Sequence, residues 1–106
     1  MSSNFKWIKN GGVTSAMGLK ASGVTAGIRA NRADMALLLS DAESTCAALF
    51  TSNRVAAAPV VLSRKRVATG NCRGVIINSG CANACTGRQG FEDAVEMARL
   101  AADAVG

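Results

Sequence analysis

Short apolar runs, separated by polar or glycine-containing breaks, divide the chain into candidate elements. The runs 35–40 and 45–51 lie on either side of the polar stretch 41–44. Their alanine and leucine content would also fit helices, but their short lengths and the polar break favour strands. Neither run alternates cleanly between apolar and polar residues, so we expect a hairpin whose strands are covered on both faces.

Glycine punctuates the first third of the chain, at positions 11, 12, 18, 23 and 27. Between these glycines lie short β-leaning pieces such as 23–28. Because glycine adopts backbone conformations that other residues avoid, we expect the backbone of this region to turn often and to pass close to its neighbours.

A short helix is predicted from Pro59 onward. Proline at the first helical position is pre-organised for a helix, because its fixed φ suits the helix and its missing N–H would have no partner there. The basic run 64–66 then falls in the last turn, where cations suit the negative end of the helix dipole. Gly70 follows as the expected stop.

A third strand, 74–78, and a long helix close the chain. Thr86 and Gln89 have the spacing of a capping box, in which each side chain bonds the backbone N–H of the other residue. Acidic residues near the start of this helix suit its positive end, and they are Glu92, Asp93 and Glu96. The apolar residues that recur at helical spacing are Phe91, Val95, Ala98, Ala102 and Val105.

The predicted order of elements is strand, strand, short helix, strand and long helix. It indicates an α/β fold with a mixed sheet covered by helices. One long helix leaves a face of such a sheet open, so we expect an incomplete layered sandwich that needs a partner or the rest of a longer protein. Residues 1–106 are expected to be a single domain fragment, because 106 residues with 49% hydrophobic content suffice for one core.

Composition and charge narrow the class of protein. Twelve basic against seven acidic residues give a net charge of +5, but only the run 64–66 is clustered and no aromatic platform lies beside it, so we expect no nucleic-acid partner. No apolar stretch reaches the roughly 18 residues of a membrane span, and the first residues lack the apolar core of a secretory signal. We therefore expect a cytoplasmic protein with reduced thiols and no membrane partner.

Four cysteines are the candidate metal-binding or nucleophilic residues. Cys81 and Cys85 are close in sequence, Cys46 and Cys72 lie far away, and the chain has no histidine, so a zinc site is disfavoured. A nucleophilic cysteine needs a base or a lowered pKa, and only the helix start near Cys85 offers electrostatic help. Buried free thiols are the favoured interpretation, and a thiol or metal protein that uses Cys81 and Cys85 is the weakest alternative.

The stretch 78–91 carries most of the functional signal, because small and amide residues lead from a buried-looking strand into a helix start. Small residues allow backbone amides to approach a ligand, and a helix N-terminus presents unpaired N–H groups. The amides of Asn78 and Asn83 either order a loop beneath a substrate site or satisfy backbone groups where the strand becomes a turn, and the second interpretation is favoured. Gly80 and Gly87 are interpreted as conformational.

Three blocks of the sequence resemble a known family. The blocks are 18–29 followed by 34–41, then 48–60, and finally 78–90. In this order and spacing they are similar to the N-terminal part of the α subunit in the bifunctional ornithine acetyltransferase family, also called glutamate N-acetyltransferase, of arginine biosynthesis. The resemblance covers nearly the whole chain, from about residue 12 to residue 106.

The resemblance implies a precursor that cuts itself before a threonine. The freed threonine is then the nucleophile, which takes acetyl from N-acetylornithine as an acyl-enzyme and passes it to glutamate. Some members of the family also accept acetyl-coenzyme A, and no metal or other cofactor is implied. The implied partners are the remainder of the α subunit and the β subunit, in a heterotetramer of two α and two β chains.

The residues to which the family assigns chemistry are expected beyond this sequence. The oxyanion hole is expected in a Ser-Thr-Gly segment after residue 106, and Thr86 with Gly87 is not that segment because it precedes the long helix. We therefore assign no catalytic, substrate-binding or metal-ligating residue here and expect these residues alone to be inactive. Relatives usually carry asparagine at the position of Cys81, and the role of this difference stays open. The alternative from another class is a noncatalytic α/β interaction or anion-binding domain that uses the helix N-terminus near Thr86.

Overall fold

Among the residues that the computed structural model describes, 4–106, three strands and two α-helices follow a short 3-10 helix. In chain order the elements are the 3-10 helix Val13–Ser15, β1 (Leu19–Val24), β2 (Met35–Thr45), α1 (Ala58–Val67), β3 (Asn71–Asn78) and α2 (Gly87–Val105). The order of strands and helices agrees with the order that the apolar pattern predicts. However, β1 lies in the glycine-punctuated region, β2 contains the predicted strand 35–40, and residues 46–51 form no strand.

The three strands form one antiparallel sheet in the order β1-β2-β3. Leu37 of the central strand β2 lies opposite Ser22 of β1 and Ile76 of β3. The first half of β2 is apolar on both faces, which is the pattern of a strand that is covered on both sides. The sheet is antiparallel rather than the mixed sheet that we expected. The connection 25–34 is too short for the crossover that parallel strands need, so β1 and β2 must be antiparallel. The connection between β2 and β3 runs through α1, and these strands are antiparallel as well.

The predicted hairpin of 35–40 and 45–51 is wrong, because β2 runs through the polar stretch as one bulged strand. The register of β2 against β3 shifts between Leu39 and Ser44, so the residues between them form a bulge. The hydroxyl oxygens of Ser40 and Ser44 lie 2.7 Å apart, so a side-chain hydrogen bond connects these two residues across the bulge. The polar residues therefore bend a strand instead of ending it.

The buried carboxylate of Asp34 organises the connection between β1 and β2. The residue is 3% exposed and accepts hydrogen bonds from the backbone N–H groups of Ala26, Ile28 and Arg29 at 2.7, 2.7 and 2.9 Å. These bonds, that of Arg29 foremost, hold the pKa of Asp34 below its ordinary value against the opposing effect of burial. The β-leaning piece 23–28 is therefore a strand end followed by a loop that wraps around this carboxylate.

The short helix α1 begins one residue before Pro59, so the proline occupies its second position. The basic run 64–66 lies in the last turn, as predicted. Gly70 follows with a φ of +79°, and its N–H donates to the carbonyl of Val67 at 2.8 Å. The predicted short helix and its glycine stop are confirmed.

The long helix α2 packs on α1 through small and apolar side chains. Leu62 of α1 and Ala94 and Gly90 of α2 are buried. The residues of the predicted apolar stripe that are half-buried are Phe91, Val95, Ala98 and Val105, whereas Ala102 is exposed. Within residues 4–106, neither helix is long and apolar enough to cross a membrane.

The apolar core is thin for a chain of this length. The radius of gyration is 15.9 Å, against about 13 Å for a compact domain of this size. Contacts of either helix with the strands are sparse, so the expected cover of the sheet by helices is incomplete. Val75 and Ile77 of β3 are 44% and 52% exposed. The α/β class and the incomplete layered sandwich are thus confirmed, with an antiparallel sheet.

Replacing Asp34 tests the role of its carboxylate. We expect Asp34→Asn to lower the thermal midpoint by several degrees at pH 7, because the amide NH2 would face backbone donors that now bond an oxygen. The folded-state pKa of Asp34 is lowered, so its contribution is present above the ordinary aspartate pKa of about 3.9 and is lost as the pH falls through the folded-state value. The difference between wild type and variant should therefore shrink below about pH 4.

Asp41→Asn is the matched control, because Asp41 is exposed and pairs with Lys20 at 3.1 Å. We expect this variant to change stability by less than about 1 kcal/mol. Thermal unfolding followed by circular dichroism at pH 7 and pH 3 measures both. Equal losses for the two variants, or a loss at Asp34 that does not depend on pH, would contradict the assigned role.

Candidate functional site

The turn between β3 and α2 begins with the amide of Asn78, the last residue of the strand. Its Nδ2 donates to the backbone carbonyl of Cys81 at 2.9 Å. The N–H of Ser79 donates to the carbonyl of Asp34 at 2.8 Å, which ties the turn to the connection between β1 and β2. The first half of the turn is therefore fixed at both its start and its middle.

Asn83 holds the second half of the turn through three of its polar atoms. Its Nδ2 donates to the carbonyl of Gly90 at 2.7 Å, and its Oδ1 accepts from the hydroxyl of Thr86 at 2.5 Å. Its backbone carbonyl accepts from the N–H of Ala58 at 3.1 Å. This last bond gives the first N–H of α1 an acceptor that it would otherwise lack. One residue thus joins the turn, the first residues of α2 and the start of α1.

Left-handed backbone conformations give the turn its shape. Gly80, Asn83, Cys85 and Gly87 have φ values of +98°, +51°, +57° and +64°. Glycine adopts this region freely and asparagine more readily than most residues, whereas cysteine does so at a cost. The conformational interpretation of Gly80 and Gly87 therefore agrees with the structure. The left-handed Cys85 is a feature that sequence reasoning missed.

Gly90 is required by close packing rather than by its backbone angles. A Cβ at this position would overlap the side chain of Thr86 and would lie 2.5 Å from Oδ1 of Asn83. Because these two side chains are bonded to each other, neither can move aside without breaking the turn. The absent side chain of Gly90 is what allows the turn to fold onto the helix.

The predicted capping box is wrong, although the helix begins where it predicts. Thr86 is the residue before the first turn of α2, but its side chain makes no capping bond to the helix. Its hydroxyl donates to Asn83 instead, and the Nε2 of Gln89 donates to Asp93 at 2.9 Å. The backbone of Thr86, with a φ of −104° and a ψ of 1°, departs from the extended conformation of a capping residue, and its side chain caps no N–H group of α2.

A shallow cleft of about 350 Å³ opens between the segment before α1 and the start of α2. Its lining includes Arg54, Val55, Thr86, Gly87 and Phe91. The walls are mostly apolar, and arginine supplies the one charged side chain of the lining. A guanidinium beside an uncapped helix N-terminus suits the carboxylate or another anionic group of a ligand. The described lining also includes the exposed thiol of Cys85, and it holds no histidine, lysine or carboxylate that could act as a base.

The basic run of α1 is used to hold the segment that leads into this cleft. The guanidinium of Arg64 donates to the carbonyl of Thr51 at 2.8 Å and lies 5.6 Å from the ring centre of Phe50. The ammonium of Lys65 lies 5.0 Å from the ring centre of Phe91 in α2. These cation–π contacts give two of the three basic residues a role within the fold.

The cysteines are free thiols in two different settings. Cys46 and Cys72 are half-buried, whereas Cys81 and Cys85 are exposed, so the expectation of buried thiols is wrong for the second pair. The turn bonds the backbone carbonyl of Cys81 and not its thiol, so an asparagine amide at this position would reach solvent. Among residues 4–106 no group of three or more metal-ligating side chains lies together.

Sequence reasoning located the turn but not all of the residues that build it. Asn78 and Asn83 bond backbone carbonyls, as the favoured interpretation predicts. The role of Asp34 was missed, and its only signal in the sequence is an acid placed directly before an apolar strand. The bond from Ala58 to the turn could not be read from the sequence, because it depends on how the two helices pack.

This geometry defines a class of protein. It is an open α/β layer with a cleft, formed by loops, at the start of its long helix. Comparison with known sequences supplies the particular family. The sequence model of the ArgJ family matches residues 20–106, which is more than half of the chain. The chain belongs to the ArgJ family.

Individual relatives agree with this assignment. The chain is 52% identical over 104 residues to the arginine biosynthesis bifunctional protein ArgJ of Symbiobacterium thermophilum, and the match covers 95% of this chain and 26% of that protein. The crystal structure of the arginine biosynthesis bifunctional protein argJ from Bacillus halodurans superposes with a TM-score of 0.82 at 38% identity, over 85% of this chain and 48% of that one. The structure of ornithine acetyltransferase complexed with ornithine from Mycobacterium tuberculosis superposes with a TM-score of 0.76 at 46% identity, over 82% and 46%.

The relatives are longer than this chain. It spans 26% of the curated relative and just under half of each solved chain. The resemblance that the three sequence blocks indicate is confirmed at the level of the family. The activity and partners of the longer relatives transfer to this chain only as a proposal.

Replacing Gly90 tests the packing of the turn. We expect Gly90→Ala to lower the free energy of unfolding by about 1–3 kcal/mol, despite the better helix propensity of alanine, because its Cβ would displace Thr86 and Asn83. Urea unfolding followed by circular dichroism measures the change. Gly23→Ala is the matched control, because a Cβ there meets only the carbonyl of Met35 at 3.9 Å. A stability of Gly90→Ala equal to that of the control would contradict the packing argument.

Proposed function

We propose that this chain is the N-terminal portion of the α subunit of an enzyme that moves acetyl from N-acetylornithine to glutamate. The observation that carries the proposal is the family match over residues 20–106, together with 46% identity to an ornithine acetyltransferase whose structure holds ornithine. In arginine biosynthesis such a transfer recycles the acetyl group, so no acetyl-coenzyme A is consumed. Acetyl-coenzyme A as a second donor is part of the same proposal.

The proposed chemistry is covalent catalysis by an N-terminal threonine. Self-cleavage of a precursor frees the threonine, and its own α-amine acts as the base that activates the hydroxyl. The hydroxyl attacks the acetyl carbonyl of N-acetylornithine, ornithine leaves, and the amine of glutamate then attacks the acyl-enzyme. An oxyanion hole stabilises each tetrahedral intermediate, and neither a metal nor another cofactor takes part.

The role proposed for this chain is to shape one wall of the substrate site. The cleft beside the start of α2 offers Arg54 and uncapped N–H groups, which suit a substrate carboxylate. The turn held by Asn83 keeps that helix start in position. Because the proposed nucleophile and oxyanion hole belong to other segments of the enzyme, the 106 residues alone should be inactive.

The proposed partners are the remainder of the α subunit and the β subunit, in a cytoplasmic heterotetramer of two α and two β chains. The exposed apolar residues of the sheet, Val75 and Ile77 among them, support a partner on this surface. The radius of gyration supports it as well, because it exceeds that of a compact domain of this size. The internal contacts of Arg64 and Lys65 give the basic run a role that needs no nucleic acid.

A noncatalytic anion-binding domain is the second candidate. The observation that favours it is the start of α2, which has neither a side-chain cap nor an acid in its first turn and which lies beside Arg54. Such a domain would bind phosphate or a carboxylate by itself. The enzyme proposal predicts that the isolated chain binds glutamate, N-acetylornithine and phosphate weakly, because it supplies only one wall.

The two candidates are separated by characterising the natural gene product. We expect mass spectrometry of the protein purified from its source to find this chain within a precursor that is cut before a threonine. We also expect the purified material to transfer labelled acetyl from N-acetylornithine to glutamate. A processed protein without this transfer activity would overturn the acetyltransferase proposal. Calorimetric binding of phosphate by the isolated chain, with no second polypeptide in the natural protein, would favour the noncatalytic domain.

A further inference from the structure

The segment before the 3-10 helix contains the one asparagine of the chain that is followed by glycine, Asn10. Asparagine is among the thermolabile residues of proteins, because the backbone nitrogen of the next residue can attack its side-chain amide carbon. Glycine has no side chain to hinder this approach, whereas the residues that follow the other asparagines all carry a Cβ. The sequence therefore singles out the pair Asn10 and Gly11.

The structure places this pair in an exposed turn. The N–H of Gly11 donates to the carbonyl of Ile8 at 3.0 Å, and Asn10 has a φ of +60°, as glycine or asparagine adopts at the third position of some β-turns. All residues from 4 to 17 are exposed, and within residues 4–106 the side chain of Asn10 has no hydrogen-bond partner. One solvent-exposed backbone bond thus holds the attacking nitrogen. Local opening costs little, because water replaces that bond.

Asn78 and Asn83 show the opposite arrangement, although the small residues Ser79 and Ala84 follow them. The Nδ2 atom of each donates to a backbone carbonyl, at 2.9 Å for Asn78 and 2.7 Å for Asn83. The N–H of Ser79 donates to the carbonyl of Asp34 at 2.8 Å. These bonds hold both amides away from the geometry of attack, so we expect the fold to protect these two asparagines.

We propose that Asn10 is a site of spontaneous deamidation through a succinimide that it forms with Gly11. A base in the solvent removes the proton from the nitrogen of Gly11, and this nitrogen attacks Cγ of Asn10. The new C–N bond closes the ring, the bond from Cγ to Nδ2 breaks, and ammonia leaves after taking up a proton. Water then opens the ring. Its addition at Cγ gives aspartate, and its addition at the backbone carbonyl carbon of Asn10 gives isoaspartate.

The modification changes both the charge and the length of the turn. Either product places a new carboxylate directly after Lys9. Isoaspartate also routes the main chain through the side chain, which adds one methylene group to the backbone just before the 3-10 helix Val13–Ser15. That helix contacts β1, so the change falls at the entry to the sheet and away from the turn of Asn83. The site does not depend on the proposed acetyl transfer.

Peptide mapping of the full chain tests the site. The folded protein is incubated at pH 7 and pH 9 and then cut with a protease specific for arginine. Peptide 1–29 carries Asn4 and Asn10, and peptide 74–88 carries Asn78 and Asn83. Electron-transfer fragmentation locates each deamidated residue and separates aspartate from isoaspartate. We expect the first loss of an amide at Asn10, faster at pH 9 because more of the attacking nitrogen is deprotonated, with isoaspartate among the products.

Matched variants make the result specific. Gly11→Ala should slow the loss at Asn10, because the attacking nitrogen then belongs to a residue with a Cβ, whereas Gly12→Ala should leave the rate unchanged because a Cβ there meets no atom within 4 Å. Asn10→Gln should lose the isoaspartate signal of this site, since the larger ring of glutamine closes far more slowly.

The unfolded chain supplies the reference for protection by the fold. In guanidinium we expect Asn78 and Asn83 to deamidate faster than in the folded protein, while Asn10 changes less. Three results would overturn the proposal when circular dichroism shows a folded chain. They are an intact Asn10 in the folded protein over the time in which the unfolded chain loses it, equal loss at Asn78 or Asn83 in the folded protein, and equal rates for Gly11→Ala and Gly12→Ala.

Discussion

The hydrogen bonds of Asn83 are the constraint on which the helical half of this protein depends. One side chain bonds the carbonyl of Gly90 and the hydroxyl of Thr86, and the backbone carbonyl bonds the N–H of Ala58. The start of α1 and the start of α2 are therefore set relative to one another by a turn and not by a deep apolar core. Gly90 is part of the same constraint, because any side chain there would occupy the space of these bonds.

This constraint matters more because the apolar core is thin. Within residues 4–106 the buried apolar side chains are those of Leu62 and Ala94, one in each helix, while the outer strand β3 exposes Val75 and Ile77. Polar contacts of defined geometry do the positioning that core packing does in a compact domain. Asp34 acts in the same way at the other end of the turn, since its side chain holds the connection between β1 and β2 and its carbonyl holds Ser79. The ArgJ relatives compared above are longer than this chain, which agrees with a layer that has open faces.

The sequence predicted those elements whose position depends on residues close to them in the chain. Pro59, the basic run 64–66 and Gly70 mark α1 because each acts through its own position in a helix. The hairpin prediction failed because the bulge in β2 depends on pairing with β3, which lies about thirty residues further along the chain. The capping-box prediction failed because Thr86 lacks the extended backbone of a capping residue, and its hydroxyl donates to the nearby Asn83. Asn78 and Asn83 had two interpretations, ordering a loop or satisfying backbone groups. The two overlap, because both side chains order the turn by bonding its backbone carbonyls.

The most direct test of the account is hydrogen exchange at the backbone amide of Ala58, measured by NMR on the folded chain. A first-turn amide of a helix normally exchanges rapidly because it has no acceptor within the helix. We predict that the amide of Ala58 is protected to about the same degree as that of Val61, which donates to the carbonyl of Ala57, while the amide of Arg88 in the first turn of α2 exchanges rapidly. Exchange at Ala58 as fast as at Arg88 would show that the turn does not hold α1 and would contradict the central role given to Asn83.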